Sequence, residues 1–486
     1  MRRPRALPYG PRMAQDVPQF GVPHGFQQDR AQVAALKERL FDQGVKTCLA
    51  TFVDIHGIPK AKLTPIDSFE HLCDGSELYT VGAVEGLGLA GPQEDECATV
   101  PDLESAIVLP WDKTRAWFSS DLFYHGEPYA GDPRGILRRV MARAKDLGFT
   151  FNLGIEPEFY VLRPDAQGNL LPITKTRFQG PNACYDVTLA SESSEFLDPL
   201  AAYLRELGWG LYSYDQECGR GQYEFDFGYS NALSMADRFV FLRFMVKKVA
   251  EQIGAIASFM PKPFADDFRS GAHFNMSLAD AKSGLNLFAP GGAAPGKLAS
   301  RYGVPCSDLA LHFIAGLKAH ASAITAVTCP TYNSYQGLIA QGDLADFSWA
   351  PVLVAWGKNN RSAMLRLPGN RYCVENRAVD MANNPYLAAA ISLAAGLDGI
   401  ERELDPGQPL NDDLYRRGRK ELKAAGIQLL PRTLLHALEA FEVDAIGSKA
   451  FGSFYRDIYL NHKMREWERG FYPVHEEQRR AQLTFI

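Results

Sequence analysis

Several features that would assign a function class at once are missing from this sequence. Its eight cysteines include no Cys-x-x-Cys pair, and it has no Gly-x-x-x-x-Gly-Lys-Ser/Thr loop and no run of lysine and arginine. These absences exclude a P-loop nucleotide site and, with a net charge of −6, disfavour nucleic-acid binding. No apolar run approaches the ~18 residues of a membrane span. The sequence therefore predicts no membrane segment, and its scattered cysteines predict reduced thiols in a cytoplasmic protein.

A Gly-x-Gly-x-x-Gly match at residues 86–91 does not change this interpretation. Pro92 and a cluster of acidic residues follow it, where a dinucleotide site needs a helix with apolar periodicity. We therefore reject a dinucleotide site at this position.

The N terminus differs in composition from the rest of the chain. Residues 1–28 are basic and rich in proline, and they lack the apolar segment of a secretory signal. Their prolines also oppose the amphipathic helix of a transit peptide, so they predict a disordered extension. The whole chain of 486 residues is 46% hydrophobic and 22% charged, as expected of a soluble protein with two domains and a large core.

Hydrophobic periodicity predicts an α+β protein with two domains. Residues 29–44 predict a helix, and the strand-like segments after it suggest a β-rich first domain over 29–128. The second domain, 129–486, begins with a predicted helix at 131–149, with Asp132 as N-cap and a proline at the first helical position.

In the second domain, strand-like segments alternate with long helices, which predicts a mostly antiparallel sheet. The predicted strands are 151–163, 210–215, 221–229, 272–278, 362–367 and 372–379. The predicted helices are 195–208, 233–258, 307–325, 383–402, 413–425 and 448–469.

Two glutamates mark the stretch GIEPEFY, residues 154–160. Because successive side chains of a strand alternate between its faces, Glu156 and Glu158 share one face and the apolar residues beside them share the other. A half-exposed strand with polar residues outside explains this pattern when the stretch is taken alone.

The same pattern recurs in later strands. Glu224 and Glu375 lie on polar faces, Glu217 lies in a glycine-rich turn, and His273 lies inside a strand-like stretch. Such a histidine, taken alone, is usually structural. Clustered carboxylates raise one another's pKa unless cations neutralise them, and Mg²⁺ prefers oxygen ligands. The set predicts two or three bound ions, Mg²⁺ or Mn²⁺.

An arginine-rich segment accompanies these carboxylates. Arg361, Arg366 and Arg371 lie within WGKNNRSAMLRLPGNR, which has strand character. Surface arginines are usually solvated. Beside metal-bound carboxylates, however, guanidinium groups would stabilise a transferring phosphoryl group.

In chain order, seven segments resemble the glutamine synthetase family: GIEPEFY, QECGRGQYEF, SGAHFNMSL, NSYQGL, NNRSAMLRLP, VENR and MANNPYL. The resemblance extends from about residue 35 to the end. VDIHGIPKAK, GAHFNMSLAD and VENRAVD suggest the branch of γ-glutamylmethylamide synthetases and type III-like glutamine synthetases. The resemblance implies an N-terminal β-grasp domain, a C-terminal catalytic domain with a curved antiparallel sheet and flanking helices, and stacked hexameric rings with active sites between subunits.

The resemblance also implies roles for residues at matching positions. One metal would be bound by Glu158, Glu217 and Glu224, and a second by Glu156, His273 and Glu375. ATP would contact Tyr229, Ser277, Arg361 and Arg366. The acid substrate would contact Arg269, Gly271, His273 and Arg377. The residues expected to act in catalysis are Arg361, Arg377 and Asp54, the last attracting the amine in a neighbouring subunit's site.

The implied reaction is ATP-dependent. ATP would convert the γ-carboxylate of glutamate to an acyl phosphate, which an amine then attacks. Methylamine or another small alkylamine is the expected amine. Three alternatives stay open: glutamine synthesis from ammonia, γ-glutamylation of an aromatic amine such as aniline, and a non-catalytic relative with a sensing or assembly role.

The chain departs from the family pattern in the amino-acid pocket. Gly337 stands where the family has an arginine that holds the α-carboxylate of glutamate, and Phe268-Arg269 replaces an Asn-Gly pair. We expect Arg269 to supply the missing guanidinium. Asn275 stands at the family's second histidine and Cys373 at an arginine position. The acid of the mobile loop would be one of two residues, Asp343 or Asp346.

Overall fold

The computed structural model describes residues 21–88, 91–176, 183–291, 296–338 and 349–483. The predicted extension therefore lies largely outside the described residues. Its last part, residues 21–28, lies along the first domain: the Phe26 ring is 5.9 Å from that of Phe123, and Gln28 Nε2 donates to the carbonyl of Pro101 at 2.8 Å.

The chain alternates fourteen helices with eighteen strands over the described residues. The helices are α1 Arg30–Asp42, α2 Phe69–Cys73, α3 Pro133–Asp146, α4 Val187–Glu192, α5 Ser194–Glu206, α6 Ala232–Gln252, α7 Lys297–Tyr302, α8 Asp308–Ala319, α9 Ala321–Thr328, α10 Pro385–Glu401, α11 Arg419–Ala424, α12 Leu434–Val443, α13 Ala445–Phe471 and α14 Glu476–Gln482. The strands are β1 Thr47–Val53, β2 Pro59–Lys60, β3 Thr64–Pro65, β4 Leu78–Tyr79, β5 Cys97–Pro101, β6 Ile107–Leu109, β7 Asp112–Tyr124, β8 Glu127–Pro128, β9 Phe149–Pro164, β10 Leu170–Pro172, β11 Ser213–Gln216, β12 Gln222–Asp226, β13 Ser230–Asn231, β14 Ile256–Ser258, β15 Ala272–Asp280, β16 Leu353–Lys358, β17 Ala363–Leu367 and β18 Val374–Asn376.

The first sheet forms a β-grasp domain. Its strand order is β2-β1-β7-β5-β4, with β3, β6 and β8 pairing at its sides. β1 and β7 run parallel, and the remaining pairs are antiparallel. α1 begins where Asp29 accepts hydrogen bonds from two backbone N–H groups, which satisfies donors left free at a helix start. Val33, Leu36 and Leu40 of α1 pack with Phe69 and Phe118 in a small core.

The second sheet carries ten strands in the order β11-β12-β9-β15-β18-β17-β16, with β10, β13 and β14 also pairing with β9. Only β16 and β17 run parallel, so the predicted antiparallel character is confirmed. The apolar face of β9, with Leu153, Ile155 and Phe159, is buried in the main core, as its alternation predicts.

Helix ends follow the sequence in some places and depart from it in others. Asp132 accepts from the N–H of Arg134, and Pro133 opens α3, as predicted. The helix predicted over 307–325 is instead two helices, α8 and α9, which meet at His320 and differ in direction by 78°. The His320 ring explains the break, because its two nitrogens contact the carboxylates of Asp444 and Asp398 at 2.8 and 3.0 Å.

Among the described helices, none alone has the length and apolar character to cross a membrane. The bent pair α8 and α9 passes that test only when the two helices are joined. Both helices have mostly buried side chains.

One prediction about the cysteines is wrong. Cys184 and Cys218 form a disulfide, although 34 positions separate them. Six further cysteines among the described residues are free and buried. No spacing rule reveals the pair, because the fold and not the sequence brings the two segments together.

Candidate active site

Strand register places the predicted acidic residues in a row on one face of the second sheet. Glu224 of β12 stands opposite Glu158 of β9, and His273 of β15 stands opposite Glu156 of β9. On the next pair of strands, Glu375 of β18 stands opposite Asn275 of β15. Residues that are far apart in the chain therefore meet because neighbouring strands align them.

A first group of donors consists of Glu158, Glu217 and Glu224, here called the Glu158 triad. One carboxylate oxygen of each lies within 4.8 Å of the others. Glu217 follows β11 in a tight turn, where the N–H of Cys218 donates to its Oε2 at 2.7 Å. The N–H of Gly271 donates to Glu158 Oε2 at 2.7 Å.

The electrostatics of the Glu158 triad are unfavourable. Burial, and then the charge of Glu158, raise the pKa of Glu217 to about 8. The same causes raise the pKa of Glu224 well above its ordinary value. Within the described residues, no lysine or arginine forms an ion pair with Glu217 or Glu224. These carboxylates would therefore hold protons or a cation at neutral pH.

A second group consists of Glu156, His273 and Glu375, here called the Glu156 triad. Its donor atoms also lie within 4.8 Å of one another. His273 Nδ1 lies 3.4 Å from Glu156 Oε2 and 3.9 Å from Glu375 Oε1, while its Nε2 faces Glu158 Oε1 at 3.4 Å. The imidazole thus stands between the two triads.

Arginines compensate the Glu156 triad. Arg371 donates to Glu156 Oε1 at 2.7 Å, while Arg366 and Arg377 each donate to one oxygen of Glu375 at 2.6 Å. Although burial opposes it, contacts with His273 and then Arg371 bring the pKa of Glu156 down to about 2. Burial likewise opposes ionisation of Glu375, and Arg377 lowers its pKa.

The donor chemistry of both triads fits a hard divalent cation. Five carboxylates and one imidazole present oxygen-rich sets, which suit Mg²⁺ or Mn²⁺ better than a thiophilic metal. The raised pKa values of Glu217 and Glu224 also favour a bound cation, because a cation stabilises an uncompensated carboxylate pair.

A positive patch adjoins the triads. Arg361 is exposed, and burial of its inner part, followed by the charges of Arg366 and Arg377, lowers its pKa. Three guanidinium groups therefore lie close enough to repel one another. Such a cluster is suited to an anion that carries several charges, such as a phosphoryl group.

A cleft of about 190 Å³ opens beside Glu156. Tyr229 and Ser277, both predicted on the ATP side, line it. Gly154 also lines the cleft, next to Tyr229. Tyr229 is 70% exposed, which leaves its ring open to a flat ligand.

The sequence predicted no individual role in the site for Arg371 or Asn275. Arg371 Nη2 contacts Glu156 Oε1 and Asn275 Oδ1 at 2.7 and 3.0 Å, and Asn275 Nδ2 donates to Glu156 Oε1 at 3.0 Å. Both line the same cleft. The arginine-rich segment that contains Arg371 was visible in the sequence. The contact between Arg371 and Glu156 was not, because it depends on the strand order.

Arg269 lies next to Gly337, and both residues are departures from the family pattern. A Cβ at Gly337 would stand 3.1 Å from Arg269 Cβ, so this glycine leaves room for the arginine. The Arg269 guanidinium donates to the carbonyls of Arg377, Ala378 and Val379 at 3.1–3.4 Å. These contacts tie it to the segment after β18. Its binding of glutamate stays a prediction.

Gly271 has a steric reason to be glycine. A Cβ at this position would lie 2.8 Å from His273 Nε2 and 3.0 Å from Glu158 Oε2. The backbone therefore approaches both triads closely. The two candidate loop acids, Asp343 and Asp346, lie outside the described residues.

Asp54 belongs to the first domain. Its carboxylate is buried, lies 3.1 Å from Lys60 Nζ and accepts from the N–H groups of His56 and Ile58. Its carbonyl accepts from Asn384 of the second domain at 3.0 Å. Of the contacts described within this chain, none joins Asp54 to the triads, and its role in a neighbour's site stays a prediction.

Comparisons with known proteins identify the family of the chain. Residues 130–481 match the family described as "Glutamine synthetase, catalytic domain". A "Glutamate--methylamine ligase" of Methyloversatilis universalis is 36% identical over 92% of this chain and 98% of its own length. A "Glutamine synthetase" of Rhizobium meliloti is 35% identical over 88% of this chain and 94% of its own length.

Solved structures give the same result for the fold. A structure titled "GmaS/ADP complex-Conformation 1" superposes with a TM-score of 0.83 at 34% identity, over 92% of this chain and 99% of that one. "Apo GmaS without ligand" gives 0.81 at 33% identity over the same shares. From the domain match, the relatives and the shared fold, we conclude that the chain belongs to the glutamine synthetase family.

Proposed function

We propose that this protein is an ATP-dependent ligase that joins the γ-carboxylate of glutamate to a small amine through γ-glutamyl phosphate. Methylamine is the first candidate amine, because a relative that is 36% identical is named a glutamate–methylamine ligase. The observation that carries the proposal is the pair of donor triads on one sheet face, bordered by three arginines.

We assign each triad one divalent cation, Mg²⁺ or Mn²⁺, with room for a third ion left open. When bound, such ions neutralise charge on the phosphates and on the transferring phosphoryl group. The chain's own contribution is to fix the carboxylates: backbone N–H groups hold Glu158 and Glu217, and arginines hold Glu156 and Glu375.

The arginines supply the remaining positive charge. Arg366 and Arg377 each use one nitrogen, Nη1, to contact Glu375, and Arg361 is exposed beside them. We assign Arg361 to the transferring phosphoryl group and Arg377 to the substrate carboxylate, because planar guanidinium groups pair with both oxyanions. The cleft with Tyr229 and Ser277 is our candidate site for the nucleotide.

The amine reaches the enzyme as a cation and must lose a proton before it attacks the acyl phosphate. Asp54 is our candidate for attracting it, supplied by a neighbouring subunit of stacked hexameric rings. The proposed division into domains 29–128 and 129–486 places Asp54 and the triads on different domains, as such sharing requires.

Phosphate release tests the reaction. Purified protein would receive ATP, Mg²⁺ and glutamate, together with ammonium, methylamine, ethylamine or aniline in parallel. We expect the highest kcat/KM with methylamine or ethylamine, and mass spectrometry should identify the γ-glutamyl amide. Turnover with ammonium alone would reject the proposal in favour of glutamine synthesis, which the Rhizobium meliloti relative supports. A preference for aniline would indicate an aromatic amine, and no turnover with any amine would favour either a different acid substrate or a non-catalytic role.

Mixing variants tests the shared site. Asp54→Asn and Glu158→Ala should each be inactive as pure rings. If Asp54 acts in a neighbour's site, rings reassembled from both variants contain some intact sites and regain part of the activity. Size-exclusion chromatography with light scattering checks ring size. Mixed rings without activity would place Asp54 in its own subunit's site or outside catalysis.

Arg269→Ala tests the acid pocket. If the guanidinium binds the α-carboxylate, its loss should raise the KM for glutamate more than about tenfold, which matches the ~1.5–3 kcal/mol of a charged hydrogen bond. Arg301→Ala, at an arginine 59% exposed, is the control. A lower melting temperature with unchanged KM would instead make Arg269 a structural support for the segment after β18.

A further inference from the structure

The disulfide lies directly beside a member of the Glu158 triad. The N–H of Ala183 donates to the carbonyl of Cys218 at 3.2 Å, and the N–H of Tyr185 donates to the carbonyl of Gln216 at 2.8 Å. This antiparallel pair of bonds places Cys184 opposite Glu217. The covalent bond to Cys218 therefore links two segments at the position of Glu217.

Both cysteines border the same carboxylate. Glu217 Oε2 accepts the N–H of Cys218 at 2.7 Å and lies 3.8 Å from Cys184 Sγ. The two sulfur atoms and a Glu217 oxygen all lie within 4.8 Å of one another. Any change in the link between the two sulfurs therefore acts on the immediate surroundings of Glu217.

The segment that carries Cys184 contains a residue with a strained backbone. Tyr185 adopts a left-handed backbone conformation at φ 62°, which is costly for a residue other than glycine. Its side chain is 71% exposed, so burial does not hold it there. The disulfide and two backbone hydrogen bonds join this segment to the turn that carries Glu217. Both sulfur-bearing residues are partly exposed, which gives a small thiol or disulfide access to them.

We propose that Cys184 and Cys218 are a reversible redox modification site that sets the affinity of the Glu158 triad for its divalent cation. The inference rests on the proposed metal-binding function. The disulfide form holds Glu217 in the triad, and the dithiol form releases the segment beside it. The co-reactant is a small-molecule disulfide or dithiol of the glutathione class.

The exchange balances without a further reactant. In oxidation, a thiolate of the pair attacks the small disulfide and displaces one thiol, and the second cysteine thiolate then displaces the other. One S–S bond forms in the protein and one breaks in the reagent, which takes up the two electrons and two protons as two thiols. Reduction by a dithiol reverses both steps.

A loosened support for Glu217 should weaken cation binding about tenfold or more, as the loss of outer contacts to a metal ligand does. The full-length protein would be oxidised with oxidised glutathione or reduced with a phosphine reductant, and both reagents then removed. Peptide mapping after alkylation gives the pairing of Cys184 with Cys218. Electron paramagnetic resonance of free Mn²⁺ gives the affinity without any activity measurement.

Two variants complete the design. Cys184→Ser should bind Mn²⁺ like the reduced protein in both redox states, and Cys306→Ser, a substitution at a buried cysteine elsewhere, should keep the wild-type difference. Two results would overturn this inference and leave the proposed metal function intact. One is equal Mn²⁺ affinity of the oxidised and reduced wild type, and the other is failure of Cys184 to pair reversibly with Cys218. Failure to bind Mn²⁺ in either state would overturn the proposed metal function as well.

Discussion

The Glu158 triad and the Glu156 triad lie side by side on one sheet face, and each offers three donor atoms within 4.8 Å. Their surroundings differ. Three arginines contact the carboxylates of the Glu156 triad. Those of the Glu158 triad contact backbone N–H groups, Gln222 and His273, and no arginine among the described residues. The pKa of Glu156 is brought down to about 2, and that of Glu217 rises to about 8.

The two triads therefore differ in how the negative charge of their buried carboxylates is compensated. In the Glu156 triad the protein itself supplies the opposite charge, so the group is stable before any cation binds. In the Glu158 triad the protein leaves the charge uncompensated, which makes that triad depend on a cation from solution. We therefore expect the Glu158 triad to dominate the response to metal and the Glu156 triad to dominate the stability of the metal-free protein.

The largest effect should come from Glu224→Gln. Loss of a ligand in the uncompensated triad removes several kcal/mol of transition-state stabilisation, so kcat should fall about a thousandfold. Steady-state phosphate release measures it. Glu251→Gln, at a carboxylate 69% exposed on α6, is the control and should keep wild-type activity. Activity within threefold of wild type would contradict the assignment of Glu224, since a metal ligand loss has a larger effect.

Glu375→Gln should mainly lower the stability of the metal-free protein. Glu375 is fully buried and accepts from two arginines, so its neutralisation leaves buried guanidinium charge uncompensated and should cost about 3 kcal/mol of unfolding free energy. Urea denaturation of metal-free protein gives the value. Glu224→Gln, measured in parallel, should leave stability unchanged or raise it, because it replaces a buried carboxylate whose ionisation is unfavourable beside Glu158. Equal destabilisation by both would erase the distinction between the triads.

The pH dependence of stability should also separate the triads. The pKa of Glu217 is higher in the folded protein, so its contribution is fully present below about 4.5 and is lost as pH rises towards about 8. The lowered pKa of Glu156 acts in the opposite sense: its contribution is present above about 4.5 and is lost as pH falls towards about 2. Thermal unfolding of metal-free protein across both windows tests this. Mg²⁺ should flatten the upper window, and Glu217→Gln should remove its slope.

The smallest effect should come from Arg371→Ala. This arginine is 37% exposed, so its ion pair with Glu156 is partly screened and its loss should cost about 0.5–1 kcal/mol of stability. Because Arg371 also lines the cleft, the KM for ATP should rise about threefold, with kcat little changed. Arg416→Ala, at an arginine 88% exposed, is the comparison. An unchanged KM would remove Arg371 from the nucleotide site.

Much of this architecture could be predicted from the sequence. The alternation in β9 identified its buried face and placed both glutamates on the other, and Asp132 marked the start of α3. The antiparallel sheet is confirmed. Two clusters in the structure contain the same residues as the two predicted sets of metal ligands, although their metal-binding role stays a prediction.

What could not be predicted depends on contacts between distant segments. The partners of Arg366 and Arg371 follow from strand order, which one sequence does not reveal. The break between α8 and α9 was missed because the largely apolar pattern continues across it. At the break His320 contacts Asp444 and Asp398, which are distant in the sequence. The disulfide was missed for the same reason: its two cysteines meet only in the fold.

Strand β9 contributes one residue to each triad, and these residues are two positions apart. The Cα positions of these two residues are therefore separated by the backbone repeat of an extended chain, about 7 Å. An insertion or deletion of one residue upstream of Glu156 within the strand would turn both carboxylates into the core and bring apolar side chains to the reacting face. We therefore expect a change in the length of β9 to disrupt both triads at once.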